Sequence, residues 1–204
     1  GAAEGLLKKL RLYRLRAKVE IELREQLGVY VNLAGHPENR PAEYAARAVT
    51  FPDPRNAALG MRSIASRDEM PVRIATAAVY HAHRLALGVP EGDDFGSDRM
   101  FALDAGLDEL HGVSFRKGCY VGQELTARMK HRGTARKRLL LVTAEKLPAP
   151  DTPVTANGVS LGEIVSVHGG RGFALIRLDR LEETKSAALE ASGGAVILTK
   201  QDWL

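Results

Sequence analysis

The stretch Lys117-Gly118-Cys119-Tyr120-Val121-Gly122-Gln123-Glu124-Leu125-Thr126-Ala127 contains the only cysteine of the chain. A thiol reacts as its thiolate, and that form is favoured by nearby cations and by the unpaired N–H groups and positive dipole end of a helix start. Lys117 stands two residues before Cys119, and Glu124-Leu125-Thr126-Ala127-Arg128-Met129-Lys130 reads as a helix opening just after it. The chemistry on offer is that of a nucleophilic thiol beside a helix entrance. A lone cysteine is otherwise a small, inert core residue. Gly118 and Gly122 supply unusual dihedrals or close backbone approach. Gln123 and Glu124 are N-capping candidates, with capping the first choice for Glu124. Arg128 follows Glu124 at i+4, the spacing of a helical ion pair.

Other chemistries find little support. His81 and His83 are two apart on a predicted helix, so they point to different sides, and no H-E-x-x-H or cysteine pair occurs. A single thiolate cannot hold an iron–sulfur cluster, which takes about four protein ligands. No stably bound metal is expected. A phosphate-binding Walker loop is also missing, and the G-x-S-x-G string at Gly158 to Gly162 falls on a predicted hairpin strand, not at a strand-to-helix elbow.

The segment FRKGCYVGQELTARMKHRGTARKR, residues 115–138, resembles the K-G-C-Y-x-G-Q-E signature of the YgfZ family. These are folate-binding proteins of iron–sulfur protein maturation, related to the T-protein (aminomethyltransferase) of glycine cleavage. Arg84 to Asp93, RLALGVPEGD, is similar to the R-x-x-x-G-x-P-x-G-x-D stretch of T-proteins, and Ala102 to Leu107, ALDAGL, to their P-L-E-A-G-L segment. Leu161 to Ser166 and Gly172 to Leu175 resemble the C-terminal barrel of both.

The resemblance implies tetrahydrofolate, or a one-carbon derivative, in a cavity bordered by Cys119 and Lys117. Lys117 would bind a folate carboxylate or stabilise the thiolate. Asp104 replaces the Glu that helps hold the pterin in T-proteins, and a carboxylate suits the pterin's N–H donors. Tyr120 packs against the pterin or fills the core. Arg84 and Asp93 are ligand contacts, or a helix-end charge and a turn residue. Family members carry a further N-terminal segment, so this chain, opening at Gly1, is expected to be a fragment.

The elements that must position these residues are legible in outline. Leu6, Leu7 and Leu10 fall at helical spacing, giving a helix that ends near Leu15. Val19, Ile21 and Leu23 alternate with charged residues, and Val29, Val31 and Leu33 continue after a turn at residues 26–28, which predicts a hairpin. Pro37, Pro41, Pro52 and Pro54 mark an irregular stretch, and Met61 and Ile64 a further strand. A helix is predicted from Pro71 to Leu87, stopped by Gly88, then a loop to Ser97. From Gly133 onward short apolar runs (138–142, 154–155, 159–167, 173–178 and 195–198) are joined by hairpin turns at Asn157-Gly158 and Gly169-Gly170. The fold class is α+β: T-protein-like subdomains over residues 1–132, followed by a small antiparallel β-barrel over 133–204.

With 45% hydrophobic and 26% charged residues, the chain has the composition of a globular protein. It has no apolar run of membrane-span length, and its basic start lacks the apolar region of a secretory signal. One cysteine suits a reducing compartment: cytoplasm by default, mitochondrial matrix if the source is eukaryotic. The net charge is +4, with cations grouped over residues 8–18 and 128–138. Such groups attract anions or form a solvated face. With 5% aromatics, RNA binding is a weak reading.

The function implied is a monomeric, folate-binding accessory factor for assembly, insertion or repair of iron–sulfur clusters. Its partners are assembly factors or client enzymes, and Cys119 is the working thiol. The alternative is a tetrahydrofolate-dependent aminomethyl or one-carbon transferase.

Overall fold

The computed structural model describes residues 2–33, 48–69, 76–96, 98–132, 136–184 and 187–204. They form two compact units, Gly1–Pro52 with Met61–Ile74, and Asp53–Gly60 with Ala75–Leu204.

In the first unit the predicted N-terminal helix is α1, Ala2–Tyr13, with Glu4 in its first turn and Arg11 in its last, the arrangement its dipole favours. The predicted hairpin is corrected. Residues 19–23 alternate in sequence but form no strand, because their carbonyls are taken by arginines of the preceding segment: Arg11 donates to Ile21 O (3.1 and 3.3 Å) and Arg14 to Val19 O (3.0 Å). Strand β1, Leu27–Asn32, instead pairs with β3, Met61–Ser66, in antiparallel register Val29↔Ile64. The other edge of β3 takes β2, Val49–Pro52, through Thr50↔Ser63, whose hydroxyls bond at 2.9 Å. Proline ends this edge strand, where no ladder N–H is needed. Pro37 and Pro41 lie outside the described residues.

The second unit begins with a 3-10 turn at Ala57–Leu59, capped by Asn56, whose side chain accepts from Ala58 N–H at 2.9 Å. The long helix, α2, covers Ala77–Ala86. Its start is corrected from Pro71: Thr76 is still extended and serves as N-cap, and residues 71–75 lie outside the described set. Its end is as predicted, with Gly88 at φ +63°. The predicted loop over 88–97 contains a one-turn helix, α3, Gly92–Phe95, closed by a capping box between Glu91 and Asp94. A run of turns over 102–111 leads to α4, Gln123–Arg132.

The rest is an antiparallel sheet of seven strands: β4 (Lys137–Thr143), β5 (Pro153–Ala156), β6 (Val159–His168), β7 (Arg171–Arg177), β8 (Leu189–Ala191), β9 (Gly194–Ala195) and β10 (Ile197–Thr199), with α5 (Leu178–Glu183) after β7. Its order is β10-β4-β7-β6-β5-β8-β9. The outermost strands, β9 and β10, are separated only by the buried Val196, so the sheet curls into a nearly closed barrel. Asn157 (φ 49°) and Gly158 (φ 76°) make the tight β5–β6 turn their sequence predicts.

The strands read as continuous apolar runs because both faces are buried. Leu140, Val142, Ile164, Ala174 and Ile176 fill the barrel. Leu139, Val165, Phe173 and Leu175 point outward onto Leu85 of α2 and Phe95 of α3. The sequence division near residue 132 thus separates two textures inside the second unit. After β10 the chain returns to α2, where Gln201 donates to Gly88 O (3.3 Å) and Leu139 O (3.1 Å), and Trp203 to Leu87 O (3.0 Å). No helix among the described residues is long and apolar enough to cross a membrane.

Candidate functional site

Cys119 is exposed, on the connection that runs from Ser114 into α4. The thiol does not lie in the first turn: α4 begins four residues later, and dipole effects fade within one turn. Ser114 Oγ accepts the backbone N–H groups of Arg116 (3.4 Å) and Lys117 (3.3 Å), which shapes the bend before the thiol. Lys117 Nζ sits 5.0 Å from the centroid of the Tyr120 ring, a cation over a π face. The Tyr120 N–H donates to Gln123 Oε1 (3.3 Å) and the Gln123 N–H to Tyr120 O (3.1 Å), a reciprocal brace that ties the motif to the helix start.

Gln123 is therefore the capping side chain. Glu124 is not: it points outward and pairs with Arg128 at 3.0 Å, the i,i+4 contact its spacing predicts. Gly122 adopts φ +85° and its carbonyl accepts from both the N–H and the hydroxyl of Thr126, so its freedom is used. Gly118 is corrected, since its φ is not left-handed and a Cβ there would meet nothing within 4 Å. The hydroxyl of Tyr120 is buried and has no hydrogen-bond partner among the described residues.

Asp104 is buried, at 5% exposure, and its carbonyl accepts the Leu139 N–H at 2.8 Å. Burial pushes its carboxyl above the ordinary range, against the opposing pull of the Phe101 N–H and of Lys137 and Arg138. Nearby ion pairs absorb much of the second basic cluster. Lys130 of α4 meets Asp108 at 2.7 Å, and Arg138 of β4 holds Glu109 (2.9 and 3.3 Å) and Leu103 O (2.5 Å). Burial and the adjacent Asp108 raise the Glu109 carboxyl. One oxygen of Asp108, Oδ1, is buried without a hydrogen bond. Asp108 and Glu109 were not singled out in the sequence, where they are two acids in a turn-rich segment.

Arg84 is 1% exposed and sits on α2 with its donors engaged inside the chain. Its Nη1 donates to Asp94 Oδ2 (2.6 Å) and Val89 O (3.2 Å), and its Nε to His81 Nδ1 (3.1 Å). The placement is that of the helix-end charge, not of a residue presented to a ligand. Asp93 is exposed in the first turn of α3, while its neighbour Asp94 carries the interactions. Asp94 also accepts from the Glu91 N–H (2.8 Å), Ser166 Oγ (2.7 Å) and His168 Nε2 (2.9 Å). Burial works against its charge, but these donors and Arg84 hold the carboxyl below its ordinary range. Beside this hub Arg55 is clamped by Asp53, Glu91 and Tyr80 at 2.8–3.1 Å. His83 faces away from His81 and meets Ala58 O at 2.8 Å.

A register shift between Ile164 and Ser166 brings Ser166 and His168 to Asp94. Ile164 and Val167 remain in the barrel while Val165 packs outside, so the bulge turns Ser166 and His168 outward toward α3. Strand alternation alone would not have found them.

Residues 136–204 match the family described as CAF17, C-terminal beta-barrel domain. The chain as a whole is similar to the iron–sulfur cluster assembly factor IBA57, mitochondrial, of Homo sapiens, at 36% identity with 99% of this chain and 62% of that protein aligned. The Mus musculus IBA57 is also 36% identical, over 87% of this chain and 54% of its own length. An IBA57 homologue of Neurospora crassa is 33% identical over 76% and 39%. The chain therefore spans between about two fifths and three fifths of the length of these relatives. The IBA57 names carry iron–sulfur assembly and a mitochondrial setting rather than the cytoplasm expected by default.

Proposed function

We propose that the chain is part of an iron–sulfur cluster assembly factor of the IBA57 kind, with Cys119 as its working thiol and reduced folate held beside it. One local arrangement carries the reading: an exposed thiol adjoins a tyrosine whose buried hydroxyl lacks a partner. An unpaired buried hydroxyl costs about 1–3 kcal/mol, which a bound polar ligand offsets.

The residues fit a folate in part. Asp104 is a buried acceptor for the pterin's N–H groups, Tyr120 adds a hydroxyl, and Lys117 is a cation for a folate carboxylate. Arg84 is given no such role, because its hydrogen bonds are made within the chain. Tetrahydrofolate, when bound, supplies a carrier for one-carbon units. A cluster in transit is cargo: Cys119 provides one ligand of about four, and a partner assembly factor or client enzyme provides the others. The mitochondrial matrix, which is reducing, is the setting for a eukaryotic source.

The test uses the protein at its natural length. Tetrahydrofolate is titrated calorimetrically into wild type, Lys117→Ala and Asp104→Ala, and maturation of a client iron–sulfur enzyme is followed with Cys119→Ala. Saturable binding should weaken about tenfold or more in each binding variant, as expected for loss of a charged hydrogen bond. Client maturation should fail without the thiol. Absence of folate binding would remove folate from the mechanism, and intact maturation by Cys119→Ala would remove the thiol. Turnover of aminomethyl-lipoyl protein would replace the accessory reading by the transferase one.

A further inference from the structure

We propose that the barrel mouth binds a small anionic ligand, a carboxylate or phosphate group carried on a short apolar body. The site is separate from Cys119 and does not depend on the reading of that thiol. A groove of about 990 Å³ lies where three connections meet: the exit of β4, the β6–β7 hairpin and the β9–β10 link. Barrel mouths of this size are frequent ligand sites.

Its charge is unbalanced. Lys146 comes from the first connection and Arg171 from the second, and neither has an ion-pair partner among the described residues. Arg84, Lys130, Arg138 and Arg177 of this unit each meet a carboxylate, whereas these two cations face one groove without one. Glu145 is the only acid on the lining.

His168 is the most constrained group of the groove. Its Nε2 donates to Asp94, whose remaining contacts fix that carboxylate in place, and its ring stacks on His81 at 6.4 Å with 9° between planes. That bond occupies Nε2, and Nδ1 makes no hydrogen bond among the described residues. A histidine oriented by a buried carboxylate is the usual arrangement of a binding or catalytic imidazole. Ile197, 66% exposed, supplies an apolar wall for the ligand body. Gly170 keeps the floor tight: a Cβ there would stand 2.7 Å from the Ala144 carbonyl oxygen.

The experiment is an amide NMR titration of the chain with pyrophosphate and, separately, with glutarate. Sodium chloride at matched ionic strength is the control, and hexaglutamate peptide a further arm. Saturable shifts confined to residues 143–146, 168–171 and 195–197 are expected. Both substituted cations are exposed, so Lys146→Ala/Arg171→Ala keeps the wild-type spectrum and should weaken binding by about tenfold or more. The preferred anion distinguishes a phosphate from a carboxylate ligand. Shifts that follow chloride, or that survive the double substitution, overturn the proposal. Hexaglutamate binding tenfold tighter than either small anion would also overturn it, by assigning the groove to an acidic protein segment.

Discussion

Asp94 and Tyr120 lie in the same unit, and the fold treats their polar groups in opposite ways. Asp94 receives hydrogen bonds from Arg84, Glu91, Ser166 and His168, drawn from α2, α3 and β6. Tyr120 keeps its hydroxyl buried and unpaired, next to an exposed thiol. Burial of a charge is tolerated where every lone pair and proton is used, and the result is a rigid joint between helix and barrel. A buried polar atom left without a partner is a cost the chain alone does not recover, so it points to something the chain is built to meet. The hub is architecture; the motif is the proposed site.

The largest expected effect comes from breaking the joint. Asp94→Ala leaves a guanidinium with 1% exposure facing an empty place, and removal of one partner of a buried pair costs about 3–5 kcal/mol. Arg84→Ala should cost a similar amount, and the Arg84→Met/Asp94→Leu double variant much less than the sum of the two alanine changes. Urea midpoints of the single and double variants measure this. Additive losses would mean that the two residues contribute independently and that the joint is not one. Cys119→Ser, by contrast, should move the midpoint by no more than about 0.5 kcal/mol, as an exposed substitution does.

The acid limb of stability sharpens the comparison. Asp94 has a folded pKa below its unfolded value, so its contribution is present above the unfolded value near 3.9 and is lost as pH falls through the depressed one. Asp104 has a folded pKa above its unfolded value, so its contribution is present below about 3.9 and is lost as pH rises through the raised one. Urea midpoints between pH 3 and pH 8 should show Asp94→Asn with a flatter acid limb than wild type. Asp104→Asn should gain on wild type toward neutral pH. A gain by Asp94→Asn at neutral pH would contradict the role of its four donors.

How far the sequence reveals these regions follows from how local each cause is. The Asn157-Gly158 turn and the stop at Gly88 are set by the backbone freedom of one or two residues, and both were legible. The strands of the barrel were visible as apolar runs because both of their faces are buried. The partner of β1 was not: the alternation at 19–23 resembles a strand, but β3, about thirty residues away, offers the ladder, and Arg11 and Arg14 take the nearer carbonyls. Asp93 and Asp94 are alike in type, but the pattern R-x-x-x-G-x-P-x-G-x-D counted from Arg84 ends on Asp94, the one that the one-turn helix buries. Ser166 and His168 reach the hub through a bulge, which shifts the period of the strand without leaving a mark in composition. Cys119 was singled out by its neighbours, yet its position ahead of the helix rather than in it depends on where Gln123 caps.

The smallest effect is the most specific. Tyr120→Phe removes one oxygen that makes no hydrogen bond among the described residues, so nothing is lost on folding and a desolvation cost disappears. The variant should equal or exceed wild type in stability, by up to about 1–3 kcal/mol. The ring stays, and with it the face over which Lys117 sits, so packing is unchanged. Tetrahydrofolate binding by the natural-length protein should nevertheless weaken, because the hydroxyl is kept for the ligand. If Tyr120→Phe lowers the urea midpoint by 1 kcal/mol or more, the hydroxyl has an internal role, and the contrast with Asp94 collapses into two versions of the same structural device.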